Sequence, residues 1–207
     1  MATAEKVLNI ARGEIGTKES PANSNRTKYG KWYGLDGQPW CMMFVQWCFH
    51  TAHMALTCKT ASCSTLLTWY QRNRPGSIHK TPQRGDIIIY NFGHTGIVES
   101  VGSGTITAIE GNTSPGTAGS QSNGGMVCRR TRKTSLVTAY IRPDYDDKED
   151  KHMDNTPSPA HKEGVEWARK NGILQGNSAG NLGLTQNVTK QQMCTMLYRF
   201  AKSIGKI

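Results

Sequence analysis

The sequence predicts an α+β protein followed by a small helical unit, and three observations carry this. Apolar residues recur at helical spacing through the first part of the chain, up to Asn73. From Gly85 to Pro143 the period changes to that of strands, in β-branched runs separated by glycine-containing turns. Helical spacing then returns beyond an acidic, proline-ended stretch. Helices first and an antiparallel set of strands second describe one α+β domain. The boundaries are a domain over residues 1–143, a linker over 144–158 and a helical unit over 159–207.

Taken in order, MATAEKVLNIARGEIG places Val7, Ile10, Ala11 and Ile15 on one helical face. Charges interrupt its apolar residues, so it reads as an amphipathic helix rather than a secretory signal. The expectation is a protein made in the cytoplasm with no export route of its own. Residues 16–40 are rich in Gly, Asn and Ser, with Tyr29, Trp32 and Tyr33 interleaved. Aromatic residues at this density call for burial or a ligand, so an ordered loop is expected. Oxygens on Asn23, Asn25 and Asp36 raise calcium as a possible cofactor, but the alternating acids of a calcium loop are missing. A second helix runs from about Pro39 to His53. Pro39 suits a first turn, and Cys41, Phe44, Val45 and Cys48 fall at i, i+3, i+4 and i+7. A third helix follows Ser62 or Ser64, either of which is a candidate cap, with Leu66, Trp69, Tyr70 and Asn73 on one face.

GDIIIY, TGIVESV and TITAIEGN are the next three elements, and Gly102-Ser103-Gly104 is a hairpin turn between two of them. The loop from Asn112 to Gly125 is long enough to be functional. MVCRRTR and LVTAYIRP close an antiparallel meander. Beyond the linker, one helix spans about Pro159 to Asn171. A second starts at Thr189, whose capping box reaches Gln192, and carries Met193, Met196, Leu197 and Phe200 on one face. Fewer than sixty residues with one apolar stripe per helix make a poor independent core. This unit is expected to pack on the first domain or on copies of itself.

The formal net charge is +10, concentrated in the first domain and the tail, with the linker acidic. A basic protein is drawn to polyanions. Nucleic acid has no accompanying motif here, and anionic bacterial wall polymers are the other candidate. No apolar run is long enough to span a membrane. The six cysteines are expected as reduced thiols, since no export signal is present. Zinc is not expected, because neither cysteines nor histidines have ligand spacing.

Cys41 sits at the start of its helix, where the helix dipole favours a thiolate. A cysteine nucleophile needs a base within reach and a third group to orient that base. Of the six histidines, His50 and His53 are too far along the same helix, and His79, His152 and His161 lie in loops or near the linker. His94 opens a strand directly after the GDIIIY turn. Glu110 and Asn112 end the neighbouring strand, share a face by parity, and are both candidates for the far ring nitrogen.

These segments resemble the CHAP family, the cysteine- and histidine-dependent amidohydrolases/peptidases of papain-like fold. GQPWCMMFVQWC is similar to the family's cysteine box, GDIIIYNFGHTGIVESV to its histidine box, and TITAIEGNTS to its third box. The resemblance implies Cys41 as nucleophile, His94 as base and later acid, and Glu110 as the group that orients His94. It implies for Asn112 either a share in that role or polarisation of the scissile carbonyl. The Cys41 backbone N–H is expected in the oxyanion hole, and Gln38 is a candidate extra donor. Trp32, Tyr33 and Trp40 either line a groove for glycan or stem peptide or belong to the core. Some relatives bind calcium before the cysteine through clustered acids, which Asn23, Ser24 and Asn25 do not reproduce.

The tail, EGVEWARKNGILQGN to LTQNVTKQQMCTMLYRFAK, is similar to one S-layer homology repeat, with Lys190 where an arginine is usual. A single repeat suggests an oligomer. Lys148-Glu149 is encodable as a ribosome-binding sequence shortly before Met153, so an internal start at Met153 would supply separate copies of the tail. The implied function is a phage endolysin, held in the host cytoplasm until a holin pore releases it to the wall. It would cleave an amide bond of peptidoglycan, as an N-acetylmuramoyl-L-alanine amidase in the preferred reading and as an endopeptidase in the alternative. A non-catalytic wall-binding protein is the alternative of another class.

Overall fold

The computed structural model describes residues 3–116, 119–145, 157, 159–176, 182–184, 188 and 190–206. The chain forms two compact units, Met1–Asp147 and Lys148–Ile207. The expected linker lies outside the described residues except for Asp144, Tyr145 and Pro157. Asp144 pairs with Arg74, and the Tyr145 hydroxyl donates to Gly85 O at 2.6 Å. These two residues are thus tied to the first unit.

The first unit is α+β. Helix α1 spans Ala4–Gly13 and is capped by the Thr3 hydroxyl, which accepts from Lys6 N. It buries Ala4, Val7, Leu8 and Ala11. Ile15 falls beyond its end and is exposed. The expected loop over residues 16–40 contains a short helix, α2 (Lys28–Tyr33). The Thr27 hydroxyl caps its start, and Gly34, at φ 92°, ends it in the left-handed conformation. Helix α3 (Cys41–Thr51) is the centre of the unit. An amphipathic helix was expected, but burial continues around almost the whole of it, including Met42, Met43 and Gln46. It meets β3 and β4 on one side and α1 and α2 on the others. Phe44 and Phe49 are fully buried, each worth about 1.5–3 kcal/mol relative to exposure. Helix α4 (Cys63–Asn73) begins at Ser62, whose hydroxyl accepts from Thr65 N.

Six strands form one antiparallel sheet: β1 (Ile78–His79), β2 (Ile87–Tyr90), β3 (Thr95–Val101), β4 (Thr105–Thr113), β5 (Met126–Lys133) and β6 (Val137–Ile141). The order is β1-β6-β2-β3-β4-β5. A simple meander was expected. Instead β6 leaves β5 and pairs with the other edge of the meander, setting Ile141 opposite Ile87. Arg142 then clamps Asp86 with two bonds of 2.9 Å, fixing the start of β2 to the end of β6. Strand alternation sends Ile87, Ile89, Ile97, Ile109 and Ile141 into the main core with the helices. Ile88, Tyr90, Val98, Ile106, Ala108 and Tyr140 form a smaller cluster of their own.

Two glycines set how closely these layers approach. A Cβ on Gly111 of β4 would lie 2.6 Å from Phe44 Cβ and 2.9 Å from the Trp40 ring. A Cβ on Gly96 of β3 would lie 2.7 Å from Glu110 Cγ.

The second unit contains α5 (Lys162–Lys170) and α6 (Lys190–Ser203). Asn171 and Gly172 close α5, and Ile173 beyond it is buried. Trp167 and Phe200 meet edge to face with ring centres 6.2 Å apart. The expected cap, Thr189, and the expected internal start, Met153, lie outside the described residues. On α6, Met193, Leu197 and Tyr198 are exposed.

The close approach at Gly111 gives a direct test. Gly111→Ala pushes α3 off β4, and thermal unfolding should show a loss of about 1–3 kcal/mol, the cost of overpacking. An unchanged melting temperature would mean that the two layers have slack.

Candidate active site

The site is built where the head of α3 meets the ends of β2, β3 and β4. Cys41 is the first residue of α3. Trp40 precedes it with no side-chain cap, so no capping side chain occupies the first N–H groups of the helix. Trp40 is held in turn. Its ring stacks on Tyr29 at 5.3 Å, and its Nε1–H donates to Glu19 Oε1 at 3.0 Å. Expected as a possible groove residue, Trp40 is fully buried and belongs to the core, because its indole has both an aromatic partner and an acceptor there.

His94 is placed by the turn between β2 and β3. Tyr90 N donates to His94 O at 2.9 Å, and Gly93 takes φ 74° to make the turn. The imidazole is fully buried and lies near-parallel to the rings of Tyr90 and Phe92, with centres 5.9 and 5.8 Å away. Its Nε2 lies 3.1 Å from Glu110 Oε2. Nδ1 is buried without a hydrogen-bond partner of ordinary geometry. Since His94 also interacts with Cys41, Nδ1 is the ring atom left to meet the sulfur.

Glu110 is fully buried and is the most heavily bonded side chain of the site. Arg132 of β5 grips it with Nε to Oε1 at 2.8 Å and Nη2 to Oε2 at 2.7 Å. The Tyr90 hydroxyl donates to Oε1 at 2.8 Å. The Arg132 guanidinium also lies over the Tyr90 and Phe92 rings at 5.4 and 5.3 Å, a favourable seat for a cation.

The charges follow from these contacts. Burial would push Glu110 up, but Arg132 and His94 outweigh it and hold the carboxyl below its usual range. Burial would likewise push His94 down, but Cys41 on one side and Glu110 on the other raise it to about 9. Cys41 is held well below the usual thiol range by the Cys63 thiol bonded to its sulfur and by His94, against the cost of burial. The Met42 N–H adds to this. Both shifts run in the direction that favours a thiolate beside an imidazolium. Such a pair has the charge arrangement of an activated nucleophile beside a proton donor.

The other expected residues fall differently. Asn112 is buried but bonds Asn123 Oδ1 through Nδ2 at 3.2 Å and accepts from Gly125 N through Oδ1 at 3.4 Å. The β4–β5 register shifts between Glu110 and Thr113, and Asn112 has φ 57°. That bulge breaks the parity expected to keep Asn112 beside Glu110. Gln38 is exposed, and Trp32 and Tyr33 are half-buried. Trp32 stands 5.0 Å from His50, and Lys59 lies over Tyr33 at 5.2 Å.

Three members of the site were not anticipated. Arg132 and Tyr90 looked like ordinary strand residues. Cys63 was grouped with the other reduced thiols. Its place beside Cys41 follows from α4 starting at Cys63, which the sequence left open between caps at Ser62 and Ser64.

The loop before Cys41 does not fit calcium. Both Glu19 oxygens and Asp36 Oδ1 already accept hydrogen bonds, Glu19 from Trp40 and Asn25 N, and Asp36 from Thr27 N. One orphaned oxygen, Asn25 Oδ1, falls short of the six to eight that calcium takes. Among the described residues no group of three or more His, Cys, Asp or Glu is arranged to hold a metal, and no helix is long and apolar enough to cross a membrane.

Residues 32–112, which hold Cys41, His94, Glu110 and Asn112, match the CHAP domain. Among solved structures, the wild-type endolysin LysIME-EF1 is similar at 18% identity, covering 71% of this chain and 67% of its own, with a TM-score of 0.46. Ly7917 is similar at 19% identity, covering 68% and 62%, with a TM-score of 0.42. Ly7917 with the hydrolyzing product of MDP gives 19%, 68%, 63% and 0.41. No curated protein matches the chain.

Two predictions follow from the charges. The reactive pair needs thiolate, present above the lowered Cys41 value, and imidazolium, present below about 9. Activity should therefore be flat across neutral pH and fall as pH rises through about 9. In Glu110→Gln a pH–rate profile should place that alkaline limb lower; an unmoved limb would show that Glu110 does not hold the imidazolium. Arg132→Gln leaves a buried carboxylate without its cation, and denaturant unfolding should register a loss of about 3–5 kcal/mol.

Proposed function

We propose that this protein is a peptidoglycan hydrolase of endolysin type. The observation that carries the reading is the buried chain Cys41–His94–Glu110 at the head of α3, inside the segment that matches the CHAP domain. The Cys41 thiolate attacks the carbonyl carbon of a wall amide. As the C–S bond forms, negative charge moves to the carbonyl oxygen, where the Cys41 backbone N–H at the helix start stabilises it. His94 gives its proton to the nitrogen as the C–N bond breaks, leaving a thioester and a free amine. Water then attacks the thioester while His94 takes its proton. The thiolate leaves, and the pair is restored. Glu110 keeps the imidazole in one orientation and stabilises its charged form.

The bond assigned is that between N-acetylmuramic acid and L-alanine, with a peptide bond of the stem or cross-bridge as the endopeptidase alternative. Asn112 acts by holding the loop that follows β4 rather than by touching His94. Trp32 and Tyr33, still half-exposed, together with Gln38 are the substrate-facing residues of this reading. The tail serves as the wall-binding unit. A cleft of about 480 Å³ between Ile173, Leu174, Val188, Met196 and Arg199 is its place for a wall polymer, and the exposed side chains of α6 suit assembly with further copies of this segment. The enzyme stays in the host cytoplasm until a holin pore opens and then acts on the wall.

Zymography on Gram-positive walls tests the mechanism. Cys41→Ala should lower lysis at least about 10³-fold, the scale seen when a covalent nucleophile is removed. Undiminished lysis would leave only a wall-binding protein. Mass spectrometry of the released fragments identifies the bond: stems with a free L-alanine amino terminus and muramic acid with a free lactyl carboxylate mean an amidase, and a split stem or cross-bridge means an endopeptidase.

A further inference from the structure

Two of the six cysteines meet at the head of the site. Cys41 opens α3 and Cys63 opens α4. Both are buried, at 5% and 8% exposure, within one apolar cluster. The two sulfurs interact, each being the leading influence on the other's proton. Both are free thiols. The hydrolytic steps above use the proton on His94 and the sulfur of Cys41 and restore both, and none of them uses a second thiol. A hydroxyl or a backbone N–H would serve equally well to steady the thiolate.

What a thiol does that those groups do not is react with oxidised sulfur. A low-lying thiolate is the form that peroxides attack. Placed alone, it would pass from sulfenic to sulfinic acid and be lost. Placed against Cys63, its first oxidation product forms in contact with a second sulfur.

We propose that Cys41 and Cys63 form a reversible oxidation site, in which a hydroperoxide oxidises Cys41 and Cys63 resolves the product to a disulfide that silences the nucleophile. In the first step the Cys41 sulfur attacks one peroxide oxygen. An S–O bond forms, the O–O bond breaks, and the departing hydroxide takes the proton held on His94 to become water. In the second step the Cys63 sulfur attacks Cys41 sulfur. An S–S bond forms, the S–O bond breaks, and the hydroxyl leaves as water with the Cys63 proton. Two thiols have lost two electrons and one peroxide has become two waters. A dithiol reductant reverses the change by exchange.

The electrostatics set the order of events. Cys63 is pushed above the usual thiol range, chiefly by its bond to the Cys41 sulfur and then by burial. It therefore stays protonated while Cys41 carries the charge. Once Cys41 becomes a neutral sulfenic acid, the charge that held the Cys63 proton is gone. Cys58 is nearer to Cys63 in sequence but is raised by burial alone, and Cys48 sits fully buried two turns along α3.

The test uses the full-length protein and hydrogen peroxide, read by intact mass and by peptide mapping after alkylation without reduction. The expected product is about 2 Da lighter, with a peptide pair linking Cys41 to Cys63. Wall lysis is lost with it and restored by dithiothreitol. Cys63→Ser, and Cys63→Ala as a second variant, should instead gain two or three oxygens on Cys41 and lose lysis that dithiothreitol does not restore. Oxidation of Cys41 in the parent with no linked pair, a link to Cys58 instead, or full recovery of the Cys63 variants would overturn the proposal. The linked peptide is read without any wall substrate, so a protein that lyses nothing would still decide it.

Discussion

A carboxylate with no access to water is the constraint around which this fold is arranged. Glu110 is fully buried, and an ionised carboxylate in such a place is tolerated only when it is paired and fully hydrogen-bonded. Each of its partners comes from a different strand. Tyr90 ends β2, His94 leads into β3, and Arg132 lies on β5. The sheet register makes this possible. Arg132 stands opposite Ile106 and Cys128 opposite Glu110, so the arginine reaches along one face of the sheet, past the small Ala108, to the carboxylate. Gly96 leaves room for the Glu110 stem. Removing any one of these contacts exposes the others to the cost of an uncompensated charge.

The sulfur is placed by a different device. Helix α3 is buried almost all round, so its position is decided by packing on every side rather than by one apolar stripe. Gly111 lets β4 come against Phe44 and Trp40, and Trp40 is pinned by Tyr29 and Glu19. The head of the helix is thereby fixed relative to the sheet to within the tolerance of aromatic packing. A thiolate–imidazolium pair is costly to bury. It persists because Glu110 balances the imidazolium and the Cys63 thiol shares the sulfur's charge.

The parts that were legible in the sequence were those with a local signature. Cys41 at a helix start, His94 after a strand turn and Glu110 at the end of the next strand each carry their position in the few residues around them. The strands were legible because β-branched runs stop at glycines. What could not be read depends on register or on distant pairing. Nothing near Arg132 in RRTR distinguishes it from its neighbours, since its role exists only once β4 and β5 align. The short α2 was hidden because six residues carry too little periodicity, although Thr27 and Gly34 supply both of its ends. The return of β6 to β2 depends on Arg142 finding Asp86. Strand parity failed at Asn112 because a bulge cannot be seen in an alternating pattern.

That bulge gives the loop after β4 a connection to the chemistry. Asn112 holds Asn123 and Gly125, Thr113 bonds Gln121 O, and Ser114 bonds Gly124 O. The side chain of Gln121 then accepts from both Arg130 and Arg132. The far end of this loop is thus fastened to the same arginine that neutralises Glu110. A movement of the loop that pulled Gln121 away would alter the seat of Arg132, and through it the charge that Glu110 presents to His94. The loop edge and the proton carrier are therefore linked by two side chains, Gln121 and Arg132, and through Glu110. Asn112 contributes to that link by fixing the loop's neck. On this geometry Asn112, two positions past the carboxylate, is linked to Glu110 through the loop, Gln121 and Arg132 rather than through the imidazole.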